Sequence, residues 1–457
     1  MLGPAARATV VLLVTGCSYL PPATNGPTDG APMQPPDVLP DPEICTTATD
    51  AECIGNTLRE CRTVGQLPID TLCAMCVATP SPHCETLVPS ANGADAGDLA
   101  PDGNVLDITI ANNATVDTDS GEIQGVRNAG EGVVDGIGFS VVGNIAIWRF
   151  HSLVINGDLD FTGAHAAVFA ANRTIDVNGE LDLKGNCDFQ TPGPGGAAGG
   201  IGETDGQGLG KGIRGNGGPG AASGGGGGGH GSLGAAGGSA NGQSAPAGGS
   251  VYGDPTISML VGGSGGGGGG GSATTSGVGG GGGGAIQLVA NDRITFTASG
   301  GINAGGCGAQ RQLVNSAAGG GGGAGGTILI EASVVSLSTA VLAVNGGAGS
   351  GGDLACGDGE NGRSSRTTAK GGNGTGPILN PNTSGGFGGN GGIGGTAAAA
   401  GLSGSENKNA GGGGGGIGRI RINTRDNANL DGSCANCSPK FDDENTTLTR
   451  GAANIQQ

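Results

Sequence analysis

The sequence predicts an all-β protein: a parallel β-helix or similar solenoid with long glycine-rich loops, preceded by a small disulfide-rich module. Three observations carry this. A unit recurs in which a glycine run opens into short strands of alternating apolar residues, at Gly279–Gly284, Gly319–Gly323 and Gly411–Gly416, and self-similarity of this kind marks a stacked architecture. Glycine makes up 107 of 457 residues while aromatics are only 2%, so the chain divides into packed strands and blocks almost free of side chains. Six cysteines fall between Cys45 and Cys84, a density that reads as a cross-linked module. An antiparallel β-sandwich is the alternative, because Asn-Gly between alternating strands is also a hairpin signal.

Residues 1–16 read as a lipoprotein signal peptide. Arg7 gives the positive start and Thr9 to Val14 a short apolar stretch, too short to span a bilayer. Val14-Thr15-Gly16-Cys17 resembles the bacterial lipobox, which implies that Cys17 becomes the acylated (palmitate-bearing) N-terminus. Several acyl chains on one residue suffice for stable anchoring. The expected location is the outer membrane or cell surface, the partner being the membrane through that lipid. Residues 17–43 are Pro-rich and should form an extended tether.

Residues 44–88 hold Cys45, Cys53, Cys61, Cys73, Cys76 and Cys84. An even number in an exported chain implies disulfides, with 15 pairings open. Zinc is disfavoured, since Cys73-Ala74-Met75-Cys76 has no second C-x-x-C partner within the module and His83 is its lone histidine. The run CIGNTLRECRTVGQLPIDTLCAMCVATPSPHC resembles a module, C-x-GN-x-L-x-x-C…C-x-x-C…C, of glycine-rich lipoproteins from large-genome predatory Gram-negative bacteria. That resemblance implies a surface protein with a strand and poly-Gly body, and it implies no established activity.

After a linker at 89–103, residues 104–432 form the body. Apolar pairs such as Leu153/Ile155, Leu159/Phe161, Ile175/Val177, Ile294/Phe296 and Ile328/Ile330 each place two side chains on one face of a short strand. They return about every 22 to 24 residues, with three faces per turn, as a solenoid requires. Ile286, Leu288, Ile294 and Phe296 are expected to carry stability. The glycine blocks fall at one corner of successive turns. They are expected to be mobile unless glycine-to-glycine hydrogen bonding bundles them as polyglycine II. Among the body cysteines, Cys434 and Cys437 can close on themselves or pair elsewhere. Stacking brings two of Cys187, Cys307 and Cys356 together and leaves one unpaired. Residues 433–457 read as a polar tail.

Motifs that look catalytic fare poorly. Gly262-Gly263-Ser264-Gly265-Gly266 matches G-x-S-x-G but is followed by further glycines instead of a helix. Asp205 to Gly212 approaches a phosphate loop but lacks its first Gly and its Ser or Thr. Gly346 to Gly349 nearly begins a calcium nonapeptide, with Asp353 two residues late, and Asp358-Gly359-Glu360-Asn361 is an isolated acidic loop. His151, His165 and His230 have no nucleophile assigned to them. Asp158, Asp160, Asp176, Glu180 and Asp182 line the outward side of the strands, as a solvated face does.

The net charge of −18 excludes nucleic acid, which needs a basic stripe. The expectation is a non-catalytic surface lipoprotein with a structural, adhesive or envelope-associated role. It needs no cofactor or metal, and matrix or polysaccharide is the external partner class. The alternative is a carbohydrate-active β-helix enzyme, a polysaccharide lyase or hydrolase type working from the acidic face.

Overall fold

The computed structural model describes residues 44–456 apart from 48–49, 74, 219–220, 272–275, 298, 312–316, 354–356, 375–384 and 406. The leader, the tether, Cys17 and Cys356 therefore lie outside the described residues. The protein is all-β, its only helical elements being three short 3-10 turns among the described residues.

Most of the body's strands run in three parallel ladders. The first joins Ile145–Phe150, Ala166–Ala171, the leading half of Ala285–Phe296, that of Thr327–Ser336, then Arg419–Thr424 and Leu448–Ala452. The second aligns Ile108, Leu153, Ile175, Ile294, Val335 and Leu430 in one column. The third aligns Ala114, Leu159, Leu181, Ile302 and Leu342. Inward side chains of all three ladders pack into one apolar cluster. The aromatics gather at its N-terminal end, where Phe169 lies 5.4 Å from Trp148 and 5.4 Å from Phe150, ring centre to ring centre. The sheet is mixed there: Ile137–Val142 pairs antiparallel with Ile145–Phe150, and Gly132–Val134 with Ile137–Val142. These registers do not describe the antiparallel sandwich for the body as a whole.

Alternation explains the second and third ladders but not the first. Ala166–Ala171 is buried at all six positions, the mark of a parallel strand covered on both faces. The cover is residues 89–103. Ala91, Ala94 and Leu99 are buried against Ile147, Val168 and Val289, and the Leu99 carbonyl accepts from Asn172 and Asn291 at 2.8 and 3.0 Å. The stretch expected to be a linker is therefore a strap, held by small apolar residues too sparse to give a periodic signal.

Residues 433–457 are likewise not a free tail. Leu448–Ala452 extends the first ladder, with Leu448 opposite Ile420, and Asn454–Gln456 pairs with His83–Val88 of the cysteine module. An edge strand buries few side chains, so its sequence stays polar. The module itself is a three-stranded antiparallel sheet, Ala51–Ile54, Thr57–Glu60 and Ile69–Leu72, beside Met75–Val77 paired with His83–Val88. Disulfides Cys45–Cys61, Cys53–Cys76 and Cys73–Cys84 select one of the 15 pairings.

The largest departure from expectation concerns the glycine blocks. They leave the third ladder and return to the first between residues 184–284, 304–326 and 344–418, and their described residues are extensively hydrogen-bonded to one another. Along Gly224–Gly229, N–H donors turn to a new neighbour at each residue and return every third. Gly224 and Gly227 donate to Gly238 and Ala235, Gly225 and Gly228 to Gly319 and Gly322, and Gly226 and Gly229 to Ile213 and Gly210, all within 3.0 Å. Carbonyls of the same segment accept from Gly413, Gly416, Gly267 and Gly249. This threefold repeat is that of a polyproline-II-like helix, which has no internal hydrogen bonds and must find its partners outside. Here it finds them in six surrounding segments. The mobile reading counted only side-chain burial, whereas in the bundle the backbone N–H groups of Gly224–Gly229 all find partners.

Close approach demands glycine. A Cβ on Gly227 would lie 1.9 Å from the Gly414 oxygen, and one on Gly412 would lie 1.8 Å from that of Gly320.

Candidate functional site

Where the third ladder meets the glycine bundle, a polar cleft of about 670 Å³ opens. Its floor carries Glu180 and Asp182 from the strand Glu180–Asp182, with Lys184 just beyond it at the start of the first glycine insertion. One wall is Cys187 and Asp188, and the other is residues 358–365 of the third insertion. A second groove of about 490 Å³ continues it past Asp160 and shares Asp182, Lys184, Asp188 and Asn361.

The register sets the floor. Asp160 stands opposite Asp182 in neighbouring strands, and Asp182 opposite Asn303, so their side chains share one face. Lys184 Nζ meets Asp182 at 2.9 Å and Asn303 Nδ2 donates to it at 3.2 Å. Partial burial, and then the charges of Asp182 and Asp158, push the Asp160 carboxyl above the usual carboxylate range. In the wall, the Lys370 backbone N–H and then Arg363 hold Glu360 below its usual value. Asn361 Oδ1 accepts from the Gly308 N–H at 2.8 Å, tying this loop to the second insertion.

The Cys187–Phe189 turn is clamped. Cys187 is bonded to Cys307, and Gln310 Nε2 donates to the carbonyls of Cys187 and Asp188 at 3.0 and 2.7 Å. Phe189, one residue past Asp188, is 80% exposed.

Of the five acids grouped in the sequence, Asp160, Glu180 and Asp182 line the cleft system. Asp158 accepts the Glu180 N–H. Asp176 lies apart, in the second ladder opposite Val154. Residues 358–361 join the cleft wall. Arg363 was missed, since nothing local links it to residues so far away in the chain. Among the described residues, no three Asp, Glu, His or Cys side chains are placed to hold a metal ion.

The remaining motifs are occupied structurally. Asp205 pairs with Lys211 of the phosphate-loop-like run at 2.9 Å. Asp353 accepts from Asn409 at 2.9 Å. His165 meets Asp119 at 2.8 Å, and Cys434 bonds Cys437.

Ser264 is fully buried. It accepts the Gly210 N–H and donates to Tyr252 Oη, whose own hydroxyl donates to the Gly262 carbonyl. Tyr252 stacks on His230 at 4.6 Å, and His230 Nδ1 bonds the Gly325 carbonyl at 2.9 Å. Burial lowers His230 from 6.5 to about 4 and raises Tyr252 to about 12.

That burial of a neutral imidazole gives a pH dependence. Between about 6.5 and about 4 the unfolded chain binds a proton that the native His230 refuses, so stability falls as pH drops through this window and levels off below it. The loss is about 3 kcal/mol at 1.36 kcal/mol per unit. His230→Gln should lose less stability than wild type between pH 7 and pH 4, as measured by denaturant unfolding at each pH. Equal losses would overturn the assignment.

No family profile, no curated protein sequence and no solved structure matches this chain.

Proposed function

We propose that this protein is a non-catalytic, lipid-anchored surface protein with a structural or adhesive role. In this reading the three ladders are the walls of a parallel solenoid, whose turns repeat at the 22 residues separating Leu153 from Ile175. Cys17 anchors the chain in the outer membrane and residues 17–43 hold the body away from it. The observation that carries the reading is the glycine bundle, held by backbone hydrogen bonds between segments such as Gly224–Gly229 that carry no side chains. The serine and histidine that sequence motifs would put forward, Ser264 and His230, are both buried and engaged.

The test is anchoring. Cys17→Ala should move the protein from the membrane to the soluble fraction and abolish incorporation of labelled palmitate. Retention of both would refute the lipoprotein reading.

One observation favours the rival. Asp160, its carboxyl raised beside Asp182, has the character of a general acid with a charged neighbour. Reducing ends released from a polysaccharide by wild type, and not by Asp160→Asn, would establish the carbohydrate-active alternative.

A further inference from the structure

The cysteine module presents an exposed apolar tip. Ile44 is 53% exposed, Val64 58% and Leu67 59%. The sequence separates the first of these from the others, and the fold joins them. Cys45 donates to the Gln66 carbonyl and accepts from the Gly65 N–H, both at 2.9 Å, and its sulfur is bonded to Cys61. Ile44 is therefore held alongside the run from Val64 to Leu67. Ile69, the first residue of the strand that leaves this loop, is exposed as well. Six exposed large apolar residues fall within residues 44–72, a closer spacing than anywhere else among the described residues. The loop 61–68 holds one charge, Arg62, which pairs with Glu60 at 2.7 Å.

Leaving such a cluster in water is unfavourable unless something covers it. The module meets the body through its other sheet. Leu87 N–H donates to Asn291 Oδ1 at 2.9 Å, Arg425 pairs with Glu85, and Asn454–Gln456 lies beside His83–Val88. The tip is left for an outside partner, and the course of the chain says which. Residues 17–43 run from the acyl anchor to Ile44, so the tether ends on the tip itself. At about 3.1 Å per residue it reaches about 80 Å at most. A link of this kind keeps its end at a local concentration on the order of millimolar. A weak affinity for the bilayer, negligible in a free protein, then suffices to hold the tip down. Asp50 and Glu52 share a groove with Ile44, which favours zwitterionic over anionic headgroups.

We propose that Ile44, Val64 and Leu67 insert into the interface of a zwitterionic bilayer, a non-covalent contact that adds to the acyl anchor and fixes how the molecule stands. The module is then a foot, with the ladders clear of the surface behind it. This rests on the reading of Cys17 as the lipid anchor.

The test uses the full chain from residue 17 with Cys17→Ala and a histidine tag ahead of it, held on phosphatidylcholine vesicles that contain nickel-chelating lipid. Brominated phosphatidylcholine should quench the emission of Val64→Trp at least about threefold more than that of Leu402→Trp, an exposed site on the glycine bundle. Adding Ile44→Asp and Leu67→Asp to Val64→Trp should bring its quenching down to the Leu402→Trp level with unchanged circular dichroism. Replacing half of the phosphatidylcholine by phosphatidylglycerol should weaken the quenching. Equal quenching of Val64→Trp and Leu402→Trp would overturn the proposal. So would a blue shift of Val64→Trp that grows with protein concentration in the absence of vesicles, which would assign the tip to a second copy of the chain. Because the tag stands in for the acyl group, failure here is separate from failure of the Cys17→Ala fractionation.

Discussion

Gly412→Ala should destabilise the folded chain by about 3 kcal/mol, the upper part of the range for a group forced into filled space. The new methyl would meet the Gly320 carbonyl, oxygen at 1.8 Å and carbon at 2.3 Å, and backbone cannot swing aside as a side-chain end can. Moving that segment disturbs its neighbours in turn, because Gly412 also donates to Ser350 and accepts from Gly389. Gly103→Ala, where nothing lies within 4 Å, should change stability by less than about 0.5 kcal/mol. Excising Gly224–Gly249 should cost at least as much as Phe296→Ala, itself about 3–5 kcal/mol for a fully buried ring. The sequence-based expectation ranked these the other way. Chemical denaturation of the four variants decides, and a Gly412→Ala protein as stable as Gly103→Ala would mean that the bundle is not close-packed.

The second large effect belongs to Cys187–Cys307. This bond closes a loop across a separation of 120 residues, for which the chain-entropy account gives about 5 kcal/mol. Replacing both cysteines by serine should cost several kcal/mol. The same change at Cys434 and Cys437, a separation of 3, should cost about 2 kcal/mol on that account. Thermal and denaturant unfolding of the two double variants gives the comparison. Equal losses would show that the first insertion is already held in place without its cross-link. Loss of the long bond should also loosen the Cys187–Phe189 turn.

What could be read from the chain follows from where its side chains act. The pairs Leu153/Ile155 and Ile294/Phe296 alternate because one face of each strand is wet, so their columns were legible. Alternation disappears in Ala166–Ala171 because both faces are dry, and the strap responsible lies about 70 residues upstream, where Asn172 meets Leu99. The closure of Cys434 on Cys437 could be weighed locally. The choice of Cys187 and Cys307 depends on how two insertions stack. The cleft was legible only in part, because Asp160 and Asp182 share a local register while residues 358–365 arrive through the bundle. Order in the glycine blocks left no trace in hydropathy, since hydrogen bonds between bare backbones have no side-chain signature.

The bundle's wiring also dictates an order of assembly. Gly225 of the first insertion donates to Gly319 of the second and accepts from Gly413 of the third, while Gly322 donates to Gly413. No insertion is complete without the other two. A chain made from its N-terminus must therefore leave the first block only partly paired until residues near 416 are present, a long-range closure of the kind that makes folding slow. The waiting segment is almost bare of apolar side chains and so exposes little for other chains to stick to. Glycine thus serves the nascent protein by inertness before it serves the finished one by close fit.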